Sequence, residues 1–296
     1  MIFVRRRLLA LIVLLIAVSL LMGGCSAKPA GQQDRSTQVS GQTLKVQTID
    51  IGQGDAILIQ AQGQVVLVDT GDVPAREKLV RYIKSQGITT IDKVFITHPH
   101  ADHLGGMAAV LENFKVKQIY DSGLTTTTAL YRQYLTTVQK KNIPFEVVAQ
   151  GSTIDLGGGA VLKVLAPQKP FITQSELNNN SIVLKLTYGK FSMMLTGDAE
   201  KEAEDKLIKD YAGELKSSVL KSGHHGSNTS STTAFLKAVA PEAIIISVGA
   251  NNDYHHPHPS TMKKYAELKA KVYQTDRDGT LTITSDGQTY NINKEK

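Results

Sequence analysis

From Thr43 onward the chain alternates short apolar runs with glycine-containing turns and longer stretches of helical periodicity. Residues 44–49, 56–60 and 65–68 are β-branched runs of strand length, and they predict three successive strands. Pro74 then opens a helical pattern that runs to Gln86, with Leu79, Tyr82 and Ile83 on one face. Residues 93–96 form another apolar strand, which ends directly in a group of histidines. Further helices are predicted over 130–140, 200–211, 232–239 and 260–270. Further strands are predicted over 161–165, 182–186, 191–195, 243–247, 281–284 and 289–292. Strands and helices interleave with no linker-like stretch after Gly41 and no internal repeat. The pattern predicts one layered α/β domain over residues 43–296.

The first 42 residues have a different texture. Arg5, Arg6 and Arg7 precede an apolar run over 8–22, broken only by Ser19, and Gly23 and Gly24 lead into Cys25. Charge, apolar block and small residues in this order make a secretory signal. With the cysteine added, residues 1–24 resemble a bacterial lipoprotein signal peptide, which implies that Cys25 becomes the lipidated N-terminus. Two acyl chains suffice for stable membrane attachment. Residues 25–42, rich in Gly, Ser, Gln and Thr, then read as a flexible tether. The expected location is extracytoplasmic, anchored by lipid to the cell membrane.

Composition and charge narrow the options further. The chain is 296 residues long, 41% hydrophobic and 20% charged, with ten Tyr, seven Phe and no Trp, which suits a globular core rather than disorder. The formal charge of +6 includes the three arginines ahead of Cys25. Without them 30 basic side chains stand against 27 acidic ones, a weak bias that tolerates a polyanionic partner without identifying one. A single cysteine excludes a disulfide framework and every cysteine-based zinc module. No later run reaches the roughly 20 apolar residues of a membrane span, so a multi-span channel is not expected. No feature of the sequence specifies an oligomeric state.

The histidines carry the chemistry. All eight fall in three places: His98, His100 and His103; His224 and His225; His255, His256 and His258. The first group reads Thr97-His98-Pro99-His100-Ala101-Asp102-His103, between the end of an apolar strand and a helix. That placement puts imidazoles and a carboxylate in the crevice where open α/β sheets bind ligands. Such a turn can aim two imidazoles at one metal and a carboxylate plus imidazole at a second. Two metals about 3.5–4 Å apart are a hydrolytic arrangement.

Several motifs in order resemble the metallo-β-lactamase-fold hydrolases. These are Val65-Val66-Leu67-Val68-Asp69-Thr70-Gly71, the His98 to His103 turn, Leu195-Thr196-Gly197-Asp198, and Leu220-Lys221-Ser222-Gly223-His224-His225-Gly226-Ser227. A narrower likeness is to the extracellular hydrolase domain of the competence DNA-uptake protein ComEC and its free-standing relatives. It rests on Asp50-Ile51-Gly52-Gln53-Gly54-Asp55-Ala56, Asn178-Asn179-Asn180-Ser181-Ile182-Val183-Leu184, and Tyr254-His255-His256-Pro257-His258-Pro259. The resemblance implies a four-layer αββα sandwich and one or two divalent ions, zinc or manganese. It implies one site on His98, His100 and Asp198, and a second on Asp102, His103, Asp198 and His224, with Asp69 supporting the turn. His225, the neighbour of His224, and Asn180 are placed beside metal or substrate. The superfamily's usual third histidine on the first metal is replaced here by Asn178, Asn179 and Asn180, whose amides are poorer donors.

The mechanism this implies is attack by a metal-activated hydroxide, with Asp102 and Asp198 holding the metals and His256 or His258 protonating the leaving oxygen. The expected substrate is a phosphodiester, with DNA leading. Cell-wall polymers of the phosphocholine or teichoic-acid type come second. A non-catalytic surface protein that keeps the fold for binding is the alternative from another class, and the asparagine run is the feature that favours it.

Overall fold

The computed structural model describes residues 43–296, so the expected signal, Cys25 and the tether lie outside the described residues. Two mixed sheets face each other. The first has eight strands, in the order Tyr290–Lys294, Leu281–Ser285, Leu44–Thr48, Ile57–Ala61, Gln64–Val68, Lys93–Ile96, Ile119–Asp121 and Phe145–Val147. The second has seven: Lys271–Gln274, Ala243–Ile246, Val219–Lys221, Phe191–Leu195, Val183–Tyr188, Ala160–Ala166 and Thr153–Gly157.

Side-chain alternation along strands buried on both faces explains the layering. In Gln64–Val68, Val66 and Val68 point into the core between the sheets, while Leu67 points outward under helices. In Phe191–Leu195, Met193 and Leu195 point inward and Met194 outward. The outer face of the first sheet is covered by Arg76–Ser85, Met107–Asn113 and Ala129–Lys140 through Leu79, Ile83, Val110 and Tyr131. The outer face of the second is covered by Lys201–Tyr211, Thr233–Val239 and Pro259–Glu267 through Leu207, Phe235 and Tyr265. The result is the expected four-layer αββα sandwich in one domain.

Parallel pairing positions the chemistry. Gln64–Val68, Lys93–Ile96 and Ile119–Asp121 run parallel in one sheet. Phe191–Leu195, Val219–Lys221 and Ala243–Ile246 run parallel in the other. Their carboxyl ends release Asp69, His98, Asp198, His225 and Ser247, the crevice position that strand direction favours for ligands.

Asp121 sits at one of these strand ends but is not among the residues of the histidine–aspartate cluster. It is buried, its Oδ1 accepts the Gly123 amide at 2.8 Å, and its Oδ2 accepts the Tyr134 hydroxyl at 3.3 Å. Burial outweighs these bonds and pushes its carboxyl up to about 6 from the ordinary 3.8. The folded chain therefore holds this proton more tightly than the unfolded chain. The associated stability is complete below about pH 4 and is lost as pH rises through about 6. From the size of the shift, it amounts to about 3 kcal/mol. Asp121→Asn should be more stable than wild type by about that amount at pH 7.5, and the gap should close at pH 4. Urea unfolding of both proteins at the two pH values checks this, and a gap independent of pH would refute it.

Candidate metal centre

The centre starts from Asp69, fully buried at the end of Gln64–Val68 with a φ of 59°. Its Oδ1 accepts the Thr97 amide at 2.8 Å and its Oδ2 accepts the Thr97 hydroxyl at 2.7 Å. His103 Nδ1 also lies 2.8 Å from Oδ2. With its Nδ1–H committed to that carboxylate, His103 presents Nε2 to the interior. Asp69 thus ties the start of the histidine turn to His103.

His225 is fixed by the same logic. Its Nδ1 lies 2.9 Å from the Ser247 carbonyl oxygen, which only accepts, so its Nε2 is also left facing inward. Nε2 lies 3.2 Å from Asp102 Oδ2 and 3.5 Å from Asp198 Oδ1. His103 Nε2 lies 3.2 Å from Asp198 Oδ2 and 3.7 Å from Asp102 Oδ2. One ligand atom from each of Asp102, His103, Asp198 and His225 falls within 4.8 Å of every other.

Here the structure corrects the expected donor. His225 occupies the place given to His224, because both residues adopt left-handed backbone and the turn sends the second ring inward. His224 is part-exposed, with Nδ1 3.2 Å from Glu200 Oε1 and Nε2 3.8 Å from Asp198 Oδ2.

The residues fit a cation. His103 Nε2, His225 Nε2 and Asp198 Oδ1 are buried without a hydrogen-bond partner, although they converge on one another. Leaving such groups unpaired costs on the order of 1–3 kcal/mol each. The electrostatics agree. Burial pulls His225 down, but Asp198, Asp102 and Asp55 outweigh it and push it up to about 10. His103 is likewise held well above its ordinary value by Asp198, Asp102 and Asp69, against burial. Burial raises Asp198, and the positive charge on His103 and His225 more than reverses this, holding it well below the usual range. The cluster therefore demands positive charge, which protons or a divalent ion can satisfy.

His98 and His100 form the other side. His98 Nε2 lies 2.9 Å from His100 Nδ1 and 3.8 Å from Asp198 Oδ2. Burial first, then the charge on His103, holds His98 well below its ordinary value, so its ring is a neutral donor. Behind it stand the Thr97 hydroxyl at 3.2 Å and the Ser181 hydroxyl at 3.3 Å from Nδ1. Ser181 Oγ also accepts the Asp198 amide at 3.2 Å. Ser181 was not legible in the sequence, because its partners His98 and Asp198 lie 83 and 17 positions away.

Two of those asparagines spend their side-chain oxygens on backbone amides, while Asn178 Oδ1 is buried without a hydrogen-bond partner. Asn179 Oδ1 accepts the Glu200 and Ala203 amides at the start of Lys201–Tyr211. Asn180, expected near metal or substrate, instead bonds the Ile172 amide and the Ile172 and Glu176 carbonyls. Asn178 donates to Glu200 Oε1 at 2.9 Å.

Beneath the centre lies a buried ion pair, Lys221 Nζ to Asp55 Oδ2 at 2.8 Å. Asp55 Oδ1 lies 3.6 Å from His225 Nδ1. The loop carrying Asp55 docks through its amide on the Asp102 carbonyl at 3.1 Å. This contact requires Gly54, whose φ is +119° and whose place for a Cβ is 2.2 Å from that carbonyl oxygen. Gly54 therefore serves a close approach, whereas Gly52, with a φ of +82° and open space where a Cβ would lie, serves the turn.

The remaining histidines divide. His256 lines a cleft of about 480 Å³ over the centre, together with His100, Asp102, Asp198, His224 and His225. Burial, then the charges of His225, His224 and His258, pushes it down to about 4, so at neutral pH it is an uncharged ring rather than a stored proton. His258 does not face the cleft. Its Nδ1 accepts the Asn228 amide at 3.0 Å and its amide bonds the Gly226 carbonyl at 3.0 Å, holding the turn that carries His225.

Comparison with known proteins agrees with this architecture. The model of the metallo-beta-lactamase superfamily matches residues 49–249. ComE operon protein 3 of Bacillus subtilis (strain 168) is 32% identical, over 80% of this chain and 32% of that protein. Competence protein ComA of Neisseria gonorrhoeae is 29% identical, over 90% of this chain and 35% of that protein. The chain thus spans about a third of the length of these curated relatives. Among solved structures, the metallo-beta-lactamase fold protein YhfI from Bacillus subtilis superposes with a TM-score of 0.57 over 82% of this chain and 100% of that one. At 14% identity it attests the fold alone. With the matched residues spanning both sheets and the metal centre, the chain belongs to the metallo-beta-lactamase superfamily, a family of hydrolases.

Proposed function

We propose that this protein is a divalent-metal-dependent phosphodiesterase, tethered outside the cytoplasm by lipid on Cys25, with DNA as its leading substrate. The observation that carries the reading is the convergence of Asp102, His103, Asp198 and His225 around one point. A divalent cation held there supplies Lewis acidity and makes water acidic enough to act as a nucleophile near neutral pH. Mixed imidazole and carboxylate donors suit zinc and manganese alike.

The chain's own groups do the rest. Asp102, whose side chain is 25% exposed, is the carboxylate that reaches from the cluster into the cleft. Asp198, held from behind by Ser181, spans the two histidine groups. His256 stands over the cleft as a neutral ring and can donate a hydrogen bond to a departing alkoxide. The names of the competence-protein relatives support DNA over other diesters. The arginine-led apolar segment before Cys25 supports the tethered location.

The test is turnover of bis-para-nitrophenyl phosphate and plasmid DNA by chelator-stripped protein, before and after manganese or zinc is restored. Both activities should vanish on stripping and return with metal. Activity that survives stripping, or fails to return with either ion, would overturn the reading.

A further inference from the structure

Tyr254 is the most exposed of the large apolar side chains among the described residues, at 62%, and it stands at the mouth of the cleft. Its ring stacks on His256 with centroids 5.6 Å apart and planes 23° apart. His256 in turn lies over His225, at 6.3 Å and 27°. Three nearly parallel rings therefore descend from solvent to the metal centre.

The loop that carries Tyr254 is tied down. Asn252 donates to the Gly249 and His256 carbonyls at 2.9 and 2.7 Å, and its Oδ1 accepts the His256 amide at 3.0 Å. A large apolar ring is thus held in water at a fixed place, where a binding surface explains it and packing does not.

The charges around it restrict what binds. The cleft is lined by Asp72 and Asp253 at its rim and, among the described residues, by no lysine or arginine. A substrate there gains nothing from a row of backbone phosphates. It is held by one phosphate at the metal centre and by whatever lies on the ring.

We propose that Tyr254 is a stacking platform for a nucleobase next to the scissile phosphate, so that the cleft reads one ring and one phosphate. This rests on the phosphodiesterase reading above. A quaternary ammonium is the other group that tyrosine faces attract, but cages for it surround the cation with several rings. Here one face of Tyr254 is taken by His256, which leaves a single flat surface suited to a flat ring.

The probes are thymidine 5′-monophosphate, glycerol 3-phosphate and choline phosphate, titrated calorimetrically into the manganese-loaded chain. Wild type and Tyr254→Phe should bind the nucleotide more tightly than glycerol phosphate by about tenfold or more. Tyr254→Ala should remove that preference, a loss on the order of ten- to a hundredfold in nucleotide affinity with little change for glycerol phosphate. Equal nucleotide binding by wild type and Tyr254→Ala would overturn the platform. So would an absence of nucleotide binding to wild type, or choline phosphate binding more tightly than the nucleotide. Metal-dependent turnover of methyl para-nitrophenyl phosphate, measured in parallel, separates failure of the platform from failure of the phosphodiesterase reading.

Discussion

Asp198→Asn is expected to abolish the stabilisation that manganese or zinc gives the wild-type chain and to lower phosphodiester turnover by more than about a hundredfold. Changes to groups that merely support metal ligands reduce affinity or activity about 10- to 100-fold, so loss of the central carboxylate should exceed that range. Asp198 is central in a literal sense. Its Oδ2 lies 3.2 Å from His103 Nε2 and 3.8 Å from both His98 Nε2 and His224 Nε2, while its Oδ1 lies 3.5 Å from His225 Nε2. Asparagine keeps the volume but removes the charge, and turns either an N–H or a weak oxygen donor toward the centre. With metal at about a hundred times its dissociation constant, wild type gains about 2.7 kcal/mol, or about 5–10 °C in melting temperature for a domain of this size. The variant should show no such rise. A metal-induced shift as large as that of wild type would remove Asp198 from the metal centre.

What the sequence disclosed and what it hid follow from chain geometry. Strands buried on both faces, such as Gln64–Val68 and Phe191–Leu195, are apolar apart from Gln64 and Ser192 and stand out. Val219–Lys221 has only three residues and ends in a lysine, and Phe145–Val147 is an exposed edge strand with a glutamate at its centre, so neither has a readable period. Asp69, Asp102, His103 and Asp198 were visible because the motif fixes each against its neighbours in the chain. His225 was not distinguishable from His224, because adjacent residues differ by a backbone turn that spacing does not encode. Pro257 and Pro259 flank His258, which stiffens that stretch of chain without saying which histidine meets substrate. The structure uses His258 to brace the Gly226 and Asn228 backbone, and puts His256 and Tyr254 at the cleft. The pairing of Asp55 with Lys221 joins residues 166 positions apart, and nothing local in the sequence announces it.

That pair should show strong coupling. Asp55→Ala leaves Lys221 buried and uncompensated, and should destabilise the chain by about 3–5 kcal/mol. Lys221→Met should also destabilise, because it leaves Asp55 as an unpaired carboxylate close to Asp69 and His103. Its effect on metal runs the other way. Asp55, Asp69, Asp102 and Asp198 together carry four negative charges around the centre and Lys221 returns one, so removing the lysine deepens the negative field and should tighten divalent-ion binding. Asp55→Asn should weaken it. The double variant Asp55→Asn/Lys221→Met replaces the charged pair by groups of similar size. It should be more stable than the sum of the two single losses by at least about 1 kcal/mol, because neither buried charge is then left alone. Urea unfolding in chelator measures the stabilities, and titration of manganese into each variant measures the affinities. Additive losses, or a Lys221→Met chain that binds manganese more weakly than wild type, would reject this role. The pair would then serve the packing beneath His225 without setting the field at the metal centre.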